Sequence, residues 1–158
     1  MANPAFHEDL PEWDLSDLYR SMEDPKINND LQRAEGEAKS FAADYRGRLV
    51  QLSGADFGRA IARYEALDES LSRLGSYAQL VQAGNVIDPK IGRFYQTISE
   101  RITSISTHVL FFALELNRLD HAVLEPKLTD PAAAKYRPWL RDLRTVRLHQ
   151  LSDELEKI

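Results

Sequence analysis

Two long apolar stripes at helical spacing, with a short connection between them, constrain this chain more than any other feature. Phe57, Ile61, Tyr64, Leu67, Leu71, Leu74, Ala78 and Val81 recur at steps of three and four, the period of one face of an α-helix. Ile91, Phe94, Ile98, Ile102, Ile105, Val109, Phe112, Leu116 and Leu119 repeat the pattern. Between the stripes, Gly84-Asn85 reads as a stop, and Asp88-Pro89 as an N-cap followed by proline in the first helical position. Two long helices joined this briefly must fold back on one another as an antiparallel hairpin. The second is expected to run unbroken from Pro89 to about Leu119, and its Val109–Leu114 stretch, apolar nearly all round, should be buried on several sides.

Shorter signals flank the hairpin. Residues 1–24 read as an extended entry segment punctuated by proline, with a helical turn at 14–19 and Trp13, Leu15, Leu18 and Tyr19 pinning it to the surface. A helix is predicted from Asn28 on the face of Leu31, Ala34, Ala38, Phe41, Ala42 and Tyr45, capped by Asn29 or Asp30 and stopped by Gly47. Gly36 weakens it mildly. Asp56 is the predicted cap of the first hairpin helix. Beyond Asp120 the pattern shortens: one or two turns over 121–128 broken by Pro126, then a helix opened by Asp130-Pro131 and interrupted or kinked at Pro138. Trp139, Leu140, Leu143, Val146 and Leu148 continue its apolar face, and Ser152 caps a further start. No stretch alternates as a strand would. The expected class is all-α, an antiparallel helical bundle built on a long hairpin. Residues 25–150 form the helical domain and 151–158 the start of another helix.

Composition bounds the function. With 43% hydrophobic and 28% charged residues, the chain is ordinary for a globular domain. A net charge of −5 disfavours general nucleic-acid binding, which needs a positive field. The absence of cysteine excludes disulfides, cysteine–zinc sites and thiol nucleophiles. No basic start precedes an apolar run at the N-terminus, and Val109–Leu114 is far too short to cross a bilayer. A cytoplasmic protein without membrane or nucleic-acid partners is expected.

The chemistry-bearing residues offer little. His7-Glu8 opens like the zinc motif His-Glu-x-x-His, but Pro11 stands where the second histidine belongs. His108 and Glu115 lie two helical turns apart and could serve acid–base chemistry; a partly buried histidine satisfied by a neighbouring hydroxyl or carbonyl is the stronger reading. Glu115, in apolar surroundings, needs a cationic or hydroxyl partner and reads as structural. His121 flanks a short helix and His149 precedes Ser152. Glu65, Asp68, Glu69 and Glu100 fall on solvated faces. Arg137, Arg141, Arg144 and Arg147 recur at four, three and three, a stripe able to hold an anion. With Asp142 and Asp153 close by in sequence, intramolecular pairing or a domain contact is the better account. Catalytic, cofactor-binding and metal-binding residues are accordingly all expected to be none in this chain.

Several segments, taken in order, resemble a known family. Pro11-Glu12-Trp13-Asp14-Leu15-Ser16-Asp17-Leu18-Tyr19 is similar to the opening of oligoendopeptidase F-type zinc metallopeptidases. So are Tyr64-Glu65-Ala66-Leu67, Leu74-Gly75-Ser76-Tyr77-Ala78, Phe111–Asn117, and Tyr136–Leu140 running into Arg147–Ser152. The resemblance implies a helical N-terminal domain that walls a channel for short peptides, with zinc and the His-Glu-x-x-His helix supplied by a catalytic domain following residues 151–158. It also implies inactivity alone, and self-association into a homodimer through apolar surface that the catalytic domain would cover. The alternative is an independent helical adaptor, binding a protein partner through its hairpin or its arginine stripe.

Overall fold

The computed structural model describes residues 13–145, and seven α-helices with no strand make up that stretch. They are α1 (Pro25–Tyr45), α2 (Gly54–Gly84), α3 (Pro89–Thr107), α4 (Leu110–Arg118), α5 (His121–Lys127), α6 (Pro131–Ala134) and α7 (Arg137–Arg144), with a 3-10 turn at Leu49–Gln51. Each long helix begins where an acceptor side chain can take a free N–H of the first turn. Asp24 accepts from Lys26 N and Asp88 from Lys90 N, each ahead of a proline. The first helix therefore starts at Pro25 rather than Asn28. Asp30, predicted as its cap, is instead buried within it, accepting from Tyr19 Oη at 3.0 Å and from Arg33 at 2.8 Å. In α2 the cap is Ser53; Asp56 sits three residues on, its own N–H donating to Ser53 Oγ at 3.1 Å. Gly47, at φ +73°, ends the turn after α1, in the left-handed region that glycine enters without penalty.

The hairpin is present: α2 and α3 pack together across residues 85–88, and α1 lies against both. At 31 residues, α2 is roughly 46 Å long and is the axis of the molecule, touching α1, α3, α5 and α6. The stripes face the core: Phe57, Ile61, Leu67, Leu71, Leu74 and Ala78 from α2 meet Leu31, Ala34, Ala38 and Phe41 from α1 and Ile98 and Ile105 from α3, all buried. Phe41 is the centre of an aromatic cluster, with Tyr45, Phe112, Phe111 and Tyr64 at centroid distances of 4.8, 5.0, 6.0 and 6.2 Å. Of the entry segment's four anchors, Tyr19 is buried and Leu15 and Leu18 are packed, while Trp13 stays exposed. The predicted turn at 14–19 is formed by Leu18 and Tyr19 N–H groups donating to Leu15 O.

The breaks after Thr107 and at Pro126 differ from the sequence expectation, and the one at Pro138 is an interruption rather than a kink. The second hairpin helix ends at Thr107, and His108 and Val109 form a turn before α4. No proline or glycine lies there; the residues before it are Thr103-Ser104-Ile105-Ser106-Thr107. Thr107 Oγ1 donates to Ser104 O at 2.7 Å and Arg46 donates to His108 O at 3.0 Å. Side-chain donors thus take carbonyls that the α-helical ladder would use, and i→i+3 bonds from His108 and Val109 N–H groups tighten the turn. Pro126 lies inside α5 without breaking it; as the penultimate residue of a seven-residue helix it deprives only the carbonyl of exposed Ala122 of its intrahelical donor. Pro138 does not kink a single helix but follows a break, because its ring would clash with the carbonyl of Ala134. α6 ends at that residue and α7 takes Pro138 into its first turn.

α6 approaches α2 closely. A Cβ built on Gly58 would lie 2.4 Å from the backbone carbon of Ala132, and one on Gly54 would lie 2.8 Å from Lys127 O. Nothing surrounds Gly36 within 4 Å. Gly58→Ala is therefore expected to lower stability by about 1–3 kcal/mol through overpacking against rigid backbone, although alanine is the better helix former. Gly36→Ala, on the exposed face of α1, should raise it by about 0.5–1 kcal/mol. Chemical denaturation of the two variants should show opposite shifts.

Candidate functional site

Two surfaces gather the charged residues singled out in the sequence. The first is the arginine face of α7. Arg137 is bound by both oxygens of Glu125 on α5, at 2.9 and 3.2 Å. Arg141 pairs with Asp142 at 2.8 Å, and Arg144 Nη1 donates to Leu116 O of α4 at 3.0 Å. His121 Nε2 completes the first group, 3.4 Å from Glu125. The arginines are thus held by acceptors of the same chain and tie α5 and α4 to α7, as intramolecular pairing requires. Arg147, the fourth of the stripe, lies outside the described residues, as do His7, His149, Ser152 and all of 151–158. The Arg137 hydrogen bond is the main influence holding the Glu125 carboxyl below the ordinary carboxylate range.

The second is a concavity of about 490 Å³ where the end of α1 meets the α3–α4 break. His108 and Glu115 both line it, so the break does not separate the pair that the sequence placed two turns apart. Glu115 Oε1 accepts the Gly47 N–H at 2.8 Å. The carboxylate that needed a partner in apolar surroundings has a backbone donor, across 68 positions of sequence. Leu110, Phe111 and Leu114 supply the apolar wall, and Arg46 and Arg118 the cationic rim. The Arg46 guanidinium lies 4.9 Å from the centroid of the Phe111 ring, a cation–π distance. Arg46 was not singled out from sequence. Its role depends on the chain turning at Gly47 and on α3 breaking opposite, which periodicity does not show.

Neither surface has the donor set of a metal site. Among the described residues no group of three or more His, Asp or Glu side chains is placed to hold a metal ion. No helix there is long and apolar enough to cross a membrane. Two polar groups, on Lys127 and Tyr136, are occupied structurally, whereas the buried Asn117 Oδ1 has no hydrogen-bond partner among the described residues. Lys127 Nζ donates to Val50 O at 2.9 Å and also to Leu52 O, and burial pushes its pKa down. Tyr136 Oη donates to Glu65 at 3.0 Å.

Residues 115–158 match the family model described as oligopeptidase F. The match begins at Glu115 in the concavity, takes in α5, α6 and α7 with the arginine face, and continues through 146–158. It covers somewhat over a quarter of the chain and agrees with the resemblance drawn from the ordered segments. Over residues 115–158 the chain is similar to that family, and the all-helical fold is compatible with the likeness. No curated protein and no solved structure matches the chain.

The acidic limb of stability follows from the carboxylates. Glu125 is held low chiefly by Arg137, Asp24 by the backbone N–H groups of Arg20 and Lys26, Asp44 by Arg63, and Asp56 by Ser53. Each pKa is lower folded than unfolded, so the unfolded chain binds more protons in acid. Their contribution is complete above the unfolded values of about 4 and is lost as pH falls through the folded ones. Thermal melts should show Tm falling steadily below about pH 4. Glu125→Gln should reduce that fall while lowering Tm slightly at pH 7.

Proposed function

We propose that this chain is the N-terminal, non-catalytic domain of a zinc-dependent oligoendopeptidase, shaping one wall of a channel that admits short peptides. The observation that carries the reading is the oligopeptidase F match at 115–158, on a chain whose earlier segments, from Pro11 to Asn117, resemble the same family in order. The all-helical architecture supports it. A rigid bundle with a roughly 46 Å central helix suits a wall better than a site that must assemble around a substrate.

On this reading zinc, the general base and the nucleophilic water belong to a catalytic domain outside this chain, and the protein works in the cytoplasm. The described residues contribute shape and charge only. Val86 and Ile87, adjacent and exposed at the tip of the hairpin, are apolar residues that a partner domain would cover, and through which the isolated chain would self-associate. The adaptor reading shares this surface but requires no catalytic partner.

The test is direct. The purified chain, given one equivalent of zinc and a quenched fluorogenic peptide of about eight residues, is expected to retain no stoichiometric zinc after dialysis and to cleave nothing. Fused to, or mixed with, the catalytic domain of an oligoendopeptidase F-type enzyme, it should support hydrolysis of that peptide while a folded protein of similar size stays intact. Stoichiometric zinc with cleavage by the chain alone would overturn the proposal. Failure of the catalytic domain to bind the chain would favour the adaptor.

A further inference from the structure

The concavity at the α3–α4 break has the composition of a carboxylate-binding site, and we infer that it holds an apolar carboxylate, such as the C-terminal residue of a short peptide. The argument begins with Arg46. Guanidinium groups of surface arginines are usually solvated and mobile; this one is fixed on two sides. One Nη donates to His108 O at 3.0 Å while the plane lies over Phe111 at 4.9 Å. Among the described residues that hydrogen bond goes to a neutral carbonyl and not to a carboxylate. A guanidinium has five N–H donors in a rigid fork. Arg46 therefore faces the concavity ordered, charged and with donors to spare, so little side-chain entropy remains to be lost when an anion binds.

The walls specify the rest of the ligand. Leu110, Phe111 and Leu114 line the same concavity, and its volume of about 490 Å³ falls in the range of small-molecule sites. Apolar walls with an oriented guanidinium, Arg46, and a second arginine, Arg118, at the rim select a carboxylate carrying an aliphatic or aromatic group. Glu115 opposes this charge, and its position limits the opposition. Its Oε1 is turned to the Gly47 N–H, which spreads part of the negative charge over a backbone dipole. The identification of the ligand as a peptide end takes its substrate class from the proposed function; the carboxylate site itself rests on the geometry alone.

The full 158-residue chain, isotope-labelled, should be titrated by NMR at pH 7 and low ionic strength with N-acetyl-leucyl-phenylalanine and, separately, with its C-terminal amide. The free acid is expected to shift the Gly47, His108 and Phe111 amides and to bind at least about tenfold more tightly than the amide, the margin of a charge-assisted pair. Arg46→Met should abolish the difference between acid and amide. Glu115→Gln keeps an acceptor for the Gly47 N–H and removes the opposing charge. It should therefore tighten the acid about threefold or more and leave the amide unchanged, a response that no purely structural role produces. 3-Phenylpropionate binding as well as the dipeptide acid would support the site and assign it to small carboxylates. Equal affinity for acid and amide, or an acid affinity that Glu115→Gln does not improve, overturns the inference. Because the readout is binding without cleavage, its failure is distinct from failure of the peptidase reading.

Discussion

The close approach of α6 to the first two turns of α2 is the contact on which the C-terminal half of this molecule depends. Positions 54 and 58 lie four apart on one face of α2, and both are glycine. Backbone can then meet backbone where any side chain would collide with Ala132 or Lys127 O. α6 has only four residues and no independent stability at that length. It persists because Asp130 caps it, Ala133 is wholly buried, and α2 provides a flat surface. Once α6 is seated, α5 and α7 are placed on either side of it, and with them the Glu125–Arg137 pair and the Arg144 bond to Leu116 O. The oligopeptidase F match spans these same elements.

A second fastening works from beneath. Lys127, buried at the end of α5, donates to the carbonyls of Val50 and Leu52, which flank the end of the short 3-10 turn before α2. Its ammonium replaces the water these carbonyls would otherwise need. The desolvation cost appears as its lowered pKa, and the fork of two carbonyl acceptors offsets it. The loop between α1 and α2 and the short C-terminal helices are thereby joined by one side chain across more than seventy positions. The order of α5 is thus coupled to the loop after α1, which also carries Gly47 and the neighbouring Arg46.

What the sequence made legible is the part governed by period. The α2 and α3 stripes, their connection, the Asp88-Pro89 start and the stop after Gly84 were all readable because eight or nine apolar residues in register leave few alternatives. The misread features were those decided by contacts distant in sequence. Asp30 looks like a cap until Tyr19 is seen donating to it from the entry segment. The α3–α4 break has no proline or glycine to announce it; its hydroxyl-rich approach was visible, but the Arg46 bond to His108 O was not. Trp13 looked like an anchor by size alone, whereas Tyr19 is the residue held, by Asp30 through its hydroxyl and by the Tyr77 ring at 5.1 Å. The pairing of Arg137 and Arg141 with nearby acids was foreseeable because the acids lie on the same or an adjacent short helix. Gly58 went unnoticed, since a glycine that permits close packing has no local signature distinct from one, like Gly36, that merely weakens a helix.

The two charged surfaces show why arginine count is a poor guide to function. The α7 face has more arginines, but Arg137 and Arg141 there are paired with the carboxylates of Glu125 and Asp142, so an incoming anion would have to displace an existing counter-charge. Arg46 is a single residue, yet it is immobilised by a neutral carbonyl and a ring, neither of which cancels its charge. Binding strength for an anion depends on the unsatisfied field and on how little must be reordered to use it. By that criterion the break between α3 and α4 outranks the arginine stripe. The break itself is what brings His108 O into reach of Arg46: in a continuous helix that carbonyl would be committed to the N–H four residues on.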